Sequence, residues 1–161
     1  MTAKTETSTV PASDAPAFWL TCTYDGNGAI RDGNGDVLLG FAPRGRQTRF
    51  TGASSEGYVV ERRRHAPFSS WLLFRSGELV CTIRRRGLWR GKYVLDFTDG
   101  REWTVRFPLF TVLYTCTSDE GKQLRLRLVK HTAWVVERFP ASAGIALLVG
   151  LSIIQAERMK A

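Results

Sequence analysis

Ala141-Ser-Ala-Gly-Ile-Ala-Leu-Leu-Val-Gly-Leu-Ser-Ile-Ile154 decides how the rest of the chain is read. The run is apolar on every side except for Ser152, and Gln155, Glu157, Arg158 and Lys160 follow it. Pro140 stops the preceding segment and Ser142 is the expected N-cap of a helix over 141–158. Its apolar part, at 1.5 Å per residue, is about 21 Å long, short of the roughly 30 Å hydrocarbon core of a bilayer. An apolar helix too short to span belongs in a protein interior. The competing reading is a tail anchor, with Ala146 and Gly150 as a small-xxx-small pairing face.

Upstream of the helix, Phe18 to Phe139 is a succession of short β-type runs broken by glycine-containing turns. Leu124, Leu126 and Leu128 alternate with Gln123, Arg125 and Arg127, and Trp103, Val105 and Phe107 alternate with Glu102, Thr104 and Arg106. Turn signals stand at Asp25-Gly26, Asp32-Gly33-Asn34-Gly35, Ser76-Gly77, Asp99-Gly100 and Glu120-Gly121. The pattern predicts about twelve strands, near 18–25, 29–31, 36–42, 48–53, 57–64, 70–75, 78–86, 92–98, 101–107, 109–117, 123–130 and 133–139. Short connections with no interposed helix favour antiparallel neighbours, in a sandwich or a closed barrel. About twelve strands enclose a bore too wide for their own side chains to fill. The terminal helix fills it: the fold class is all-β with one helix, a closed antiparallel barrel around a buried hydrophobic C-terminal helix. Ala143, Gly144, Ala146 and Gly150 are the positions expected to let the wall approach.

At 161 residues the chain is sized for one domain, here 17–161, preceded by a Thr/Ser/Ala/Pro-rich stretch, 1–16, that reads as a disordered tail. No secretory signal is recognisable in that stretch, so a cytoplasmic protein, peripheral at a membrane, is expected. Cys22, Cys81 and Cys116 are odd in number and widely spaced, which argues against a disulfide framework and a Cys-x-x-Cys zinc site.

With this architecture in hand, the chain resembles the tubby-like superfamily: tubby C-terminal domains, phospholipid scramblases and LURP-one-related proteins. The resemblance covers roughly residues 18–158. It is carried by Trp71-Leu-Leu-Phe-Arg-Ser-Gly-Glu-Leu-Val-Cys-Thr-Ile-Arg84, by Tyr93-Val-Leu-Asp-Phe-Thr-Asp-Gly100 and by the closing helix from Gly144 to Ile154. It implies a twelve-stranded barrel threaded by a hydrophobic C-terminal helix, and a module that binds phospholipid headgroups. The acidic pattern that scramblases carry around their terminal helix is missing here, so calcium-driven lipid transport is not expected.

No catalytic constellation is legible. Asp32-Gly-Asn-Gly-Asp36 starts like a calcium loop, but the required Gly and Glu are replaced by Val37 and Pro43, which leaves a hairpin turn. Gly87-Leu-Trp-Arg-Gly-Lys92 lacks the Ser/Thr and the helix of a phosphate-binding loop. His65 and His131 have no metal-ligand spacing, and Ser54 and Ser55 do not sit in a nucleophile elbow. The expectation is a protein that is not an enzyme and uses no metal or cofactor.

The net charge of +8 is concentrated: from Arg44 to Lys92 there are twelve Lys/Arg against three Glu. In a hairpin of 78–86 with 92–98, Arg84, Arg85, Arg86, Arg90 and Lys92 crowd the tip. These, with Arg62 and Arg64, are the candidate anion or lipid-headgroup site, because the guanidinium fork matches phosphate. Trp89 at the tip is the candidate membrane-interface residue. The competing account of the charge is a solvated rim that protects strand edges. The leading expectation is therefore docking on anionic phospholipid headgroups, phosphoinositide-like among them. Nucleic-acid binding through the same face, a protein-interaction scaffold and a scramblase-like lipid protein are the alternatives.

Overall fold

The computed structural model describes residues 17–52, 57–65, 68–86, 92–108, 113–130 and 132–159. The twelve strands are β1 (Phe18–Cys22), β2 (Gly28–Arg31), β3 (Val37–Arg44), β4 (Gln47–Gly52), β5 (Tyr58–His65), β6 (Phe68–Arg75), β7 (Glu78–Arg86), β8 (Lys92–Phe97), β9 (Glu102–Arg106), β10 (Leu113–Ser118), β11 (Gln123–Lys130) and β12 (Ala133–Glu137). Each pairs antiparallel with its sequence neighbours, and β1 closes the barrel on β12 through Phe18↔Val136 to Thr21↔Ala133. Closure leaves no strand edge to protect.

The single helix α1 (Ile145–Met159) threads the bore. Leu147 to Gln155 are buried without a break, so every face of the helix is covered. It packs against β1 and β2 on one wall and β7 and β8 on the opposite wall. The tail-anchor reading gives way to the core reading, since the barrel supplies the apolar surroundings that the helix needs. No helix among the described residues is long and apolar enough to cross a membrane.

Three expectations need correction. The segment 141–158 is not one helix: Ala141–Ala143 is a 3₁₀ turn, and α1 begins only at Ile145. Gly144, at φ +83, turns the chain between them and its carbonyl accepts the Leu147 N–H at 3.2 Å, so Ser142 is not the N-cap. Gly144 therefore serves backbone direction and not close approach; Gly150 is the close-approach glycine, where a Cβ would stand 2.5 Å from Leu95 Cδ2. The outer strands also stop early. β1 ends at Cys22 because Thr23 to Asn27 close a turn, Thr23 N donating to the Asn27 carbonyl at 2.8 Å. β12 ends at Glu137 because Arg138 takes φ +52, which strand geometry does not allow.

The hairpin reading of Asp32–Asp36 holds: Asp32 Oδ1 accepts the N–H groups of Asn34 and Asp36 at 2.9 and 3.0 Å, turning its carboxylate onto its own backbone. Residues 1–16, Ser54, Ser55, Trp89, Arg90 and His131 lie outside the described residues, as does the His65 side chain.

Candidate functional site

In an all-antiparallel barrel every turn from an odd to an even strand lies at one end. β12 leaves that end, and α1 returns toward it, so the helix C-terminus joins the same group of turns. This topology gathers Arg44 and Arg46, Arg62 to Arg64, Arg84 to Arg86, Lys92, Arg106, Lys130 and Arg158 at one end of the barrel. The carboxylates of Asp32, Asp36, Asp99, Asp119, Glu120 and Glu137 sit at the other. The sorting is partial: Arg31, Arg75, Arg101, Lys122 and Arg138 also sit at the second end, and Asp25 and Glu157 at the first.

The β7–β8 hairpin forms as the sequence suggests, with Arg84↔Val94, Arg85↔Tyr93 and Arg86↔Lys92 as partners. Of its described arginines, Arg85 faces the opposite side of the strand from Arg84 and Arg86, because side chains alternate. Arg84 and Arg86 point outward. Arg84 is ion-paired with Asp96, and Asp96 neighbours Glu102 across β8–β9. The Glu102 carboxyl is pushed up, first by its hydrogen bond with Asp96 and then by slight burial and the Asp96 charge, while Arg86 pulls the other way. The outer face therefore carries its own counter-ions. Arg85 follows Cys81 and Ile83 on the inward-facing register and lies half-buried beside Tyr93. Burial pushes the Tyr93 hydroxyl up, Arg85 opposes it, Glu157 adds to it and Arg158 opposes it again.

A cleft lined by cationic side chains lies two strands away. Tyr58 and Val60 face the core on β5, and the same alternation aims Arg62 and Arg64 at the mouth of the bore. The Arg62 N–H bonds the Arg46 carbonyl at 2.8 Å, which fixes the β3–β4 turn against β5. Gly45, Arg46, Arg62 and Arg64 line a cleft of about 350 Å³. Arg62 Nη2 donates to Ser69 Oγ at 3.4 Å and stands 3.8 Å from Glu157 Oε1 at the helix end. Its Nε is buried with no hydrogen-bond partner among the described residues. A buried unsatisfied donor costs about 1–3 kcal/mol, which an anion in the cleft would relieve. A larger hollow, about 670 Å³, lies at the opposite end beside Arg125, Glu137 and Arg138. It mixes both signs of charge; the three-arginine cleft is singled out by its chemistry, not its size.

Beneath the mouth runs an aromatic belt that the sequence reading missed. Trp71, Tyr93, Phe107, Tyr114 and Trp134 follow one another with ring centroids 4.8–6.1 Å apart. The Arg158 guanidinium closes it from the helix side, 3.9 Å over the Phe107 ring. The signal was present, since each is an inward position near this end of its strand; what was lacking was the knowledge that all five share one end.

Among the described residues no group of His, Cys, Asp and Glu is placed to hold a metal ion. Cys22, Cys81 and Cys116 are buried, and burial pushes the thiols of Cys81 and Cys116 well above the ordinary range.

The sequence matches no protein-family model, and no curated protein or solved structure matches it significantly.

Proposed function

We propose that the protein is a non-enzymatic binding module that docks on anionic phospholipid headgroups through the basic end of the barrel. The observation that carries the reading is the cleft of Arg46, Arg62 and Arg64, with a buried guanidinium Nε lacking a partner among the described residues. Three guanidinium groups around one hollow repel one another, Glu157 at 3.8 Å from Arg62 offsets only one of them, and an anion would offset the rest. Arginine forks suit a phosphate monoester or diester. The tubby-like resemblance points the same way, through the implied binding of phospholipid headgroups. The cytoplasmic, membrane-peripheral location belongs to this proposal.

The test is sedimentation with neutral phosphatidylcholine vesicles, with vesicles containing phosphatidylserine or a phosphoinositide, and with single- and double-stranded DNA, across a salt series. Salt dependence alone does not separate the ligands, because both present phosphates. The proposal expects binding to anionic vesicles, little to neutral ones, and weaker retention on DNA at matched salt. Arg46→Gln, Arg62→Gln and Arg64→Gln together should cost roughly a hundredfold in affinity at low salt, from about 1 kcal/mol per charge. Equal vesicle binding by the triple variant would reject the cleft as the site; tighter retention on DNA than on vesicles would favour the nucleic-acid reading.

A further inference from the structure

The basic end is also where apolar side chains stand out. Five large hydrophobic residues are exposed among the described residues, and Tyr24 (69%), Val129 (38%) and Leu113 (36%) all lie at this end. Val37 and Leu79 lie at the other end, at the starts of β3 and β7. Two of the three are held out by specific backbone devices. Tyr24 tops the β1–β2 turn, which is braced by Gly26 N donating to the Thr23 carbonyl at 3.0 Å and by the Asp25 carboxylate accepting from Thr23 Oγ1. Val129 is the extra residue of a bulge: β12 pairs with Leu128 and Lys130 and skips it. Bulges re-aim side chains, and this one leaves an apolar side chain facing solvent where a polar one would cost nothing. A cleft of about 240 Å³ opens at the same end, lined by Tyr24, Tyr114 and Leu128; Leu113 stands on the outer face of the wall beside it, opposite to Tyr114.

The end of the barrel is thus divided. The β3 to β8 side carries the arginine cleft; the β10 to β1 side carries a tyrosine and two aliphatic residues over the aromatic belt. We propose that Tyr24, Val129 and Leu113 form an insertion rim that enters the interfacial layer of an anionic bilayer while the arginine side holds the headgroups. This deepens the docking reading above and rests on it. Charge complementarity chooses the occupant: the arginine side, set beside an exposed tyrosine whose neighbour Asp25 is the one carboxylate of that turn, matches negative headgroups and the amphipathic interface below them. Insertion also fixes the pose, with the barrel axis standing on the membrane and Ala17, where the amino-terminal stretch joins β1, at the far end.

The experiment uses the full chain with one added cysteine at a time, Tyr24→Cys, Leu113→Cys, Val129→Cys, Val37→Cys or Leu79→Cys, labelled with an environment-sensitive fluorophore. The three native cysteines are buried and stay in place. On phosphatidylcholine/phosphatidylserine vesicles the labels at 24, 113 and 129 should shift to the blue and be quenched by spin-labelled lipid, and those at 37 and 79 should do neither. In parallel, Tyr24→Ser combined with Val129→Ser should weaken vesicle binding by roughly tenfold through lost apolar burial, with the salt dependence unchanged. Vesicle-bound protein whose labels at 24 and 129 remain in water overturns the rim and leaves headgroup docking standing. Blue shifts at 37 and 79 place the membrane at the wrong end and overturn it as well. Absence of any vesicle binding by the unlabelled protein overturns the docking reading, and the rim with it.

Discussion

Gly150 of the helix and Leu95 of β8 meet too closely for a side chain on the helix: a Cβ on the glycine would stand 2.5 Å from Leu95 Cδ2 and 3.6 Å from Ile83 Cδ1. Gly150→Ala should gain up to about 1 kcal/mol of helix propensity and lose about 1–3 kcal/mol to overpacking, a net destabilisation. In a Leu95→Ala background, itself costing about 2–5 kcal/mol, the added methyl should be neutral or stabilising because the cavity receives it. Urea unfolding of the two single variants and the double variant measures the coupling. Simple additivity would mean that helix and wall do not touch there.

The helix is the core of the barrel, so it cannot be removed. A chain ending at Pro140 should be insoluble or molten, since Leu20, Ile30, Ile83 and Leu95 would face an empty bore. Leu148→Asp and Leu151→Asp place a charge at positions with no solvent exposure and should each cost several kcal/mol. A monomeric truncated chain with a cooperative melt would refute the central-helix architecture.

The polar contact at the top of the helix is a second anchor. Gln155 Nε2 donates to the Leu20 carbonyl at 2.8 Å and lies 3.4 Å from the Thr132 carbonyl, tying α1 to β1 and to the turn that leads into β12. Gln155→Leu keeps the bulk and strips the donor to the Leu20 carbonyl, while the Thr132 carbonyl keeps the Cys22 N–H and the buried Gln155 Oε1, which has no partner among the described residues, is removed as well. A net loss of about 1 kcal/mol in thermal or urea unfolding is expected. No loss would show that water satisfies the Leu20 carbonyl.

The barrel and its helix were legible because both rest on local periodicity. Leu124, Leu126 and Leu128 alternate in sequence as they do in space, and a helix apolar all round has only an interior to go to. What was not legible depends on register between distant strands. The Arg84–Asp96 pair needs the alignment of β7 with β8, which puts Thr82 opposite Asp96 and Arg84 one step diagonal. The cleft needs β5 to end inward-facing at the same end as the β3–β4 turn, so Arg62 and Arg64 were named as candidates while Arg46 was not. Gly144 looks like a packing glycine in the sequence, because a sequence does not reveal the sign of φ.

The buried thiols make the barrel sensitive to alkali. Burial, with help from Asp96 and Asp99, pushes Cys81 up to about 12, and burial raises Cys116 in the same direction. The folded state therefore keeps protons that the unfolded chain releases above about pH 9, so stability falls as pH rises through that window. The slope is about 1.4 kcal/mol per pH unit for each thiol. An aromatic disulfide reagent at pH 8 should label none of the three cysteines in the folded protein and all three in denaturant. Rapid labelling of Cys81 without denaturant would place it at the surface.

The last prediction concerns Glu157, the one carboxylate that reaches the arginine cleft from the helix. Its Oε1 stands 3.8 Å from Arg62 Nη2, and both side chains are partly exposed, so the pair contributes little to folding, less than about 1 kcal/mol. A carboxylate in the last turn also opposes the helix dipole, which trims that contribution further. If the cleft takes the proposed phosphate, the larger effect is expected there: Glu157 lends Arg62 a negative partner that the phosphate would have to share or displace. Glu157→Gln removes the competing charge and keeps the shape. At low salt it should tighten binding to anionic vesicles roughly fivefold, from about 1 kcal/mol for one charge near the surface. Arg62→Gln should weaken binding by a similar factor, and both effects should shrink as salt shortens the screening length. The melting temperature should move little in either variant. If Glu157→Gln weakens binding instead, the carboxylate positions Arg62 for its ligand and does not compete with it. If Glu157→Gln changes nothing while Arg62→Gln still weakens binding, the bound phosphate lies on the Arg46 and Arg64 side of the cleft, out of reach of the helix.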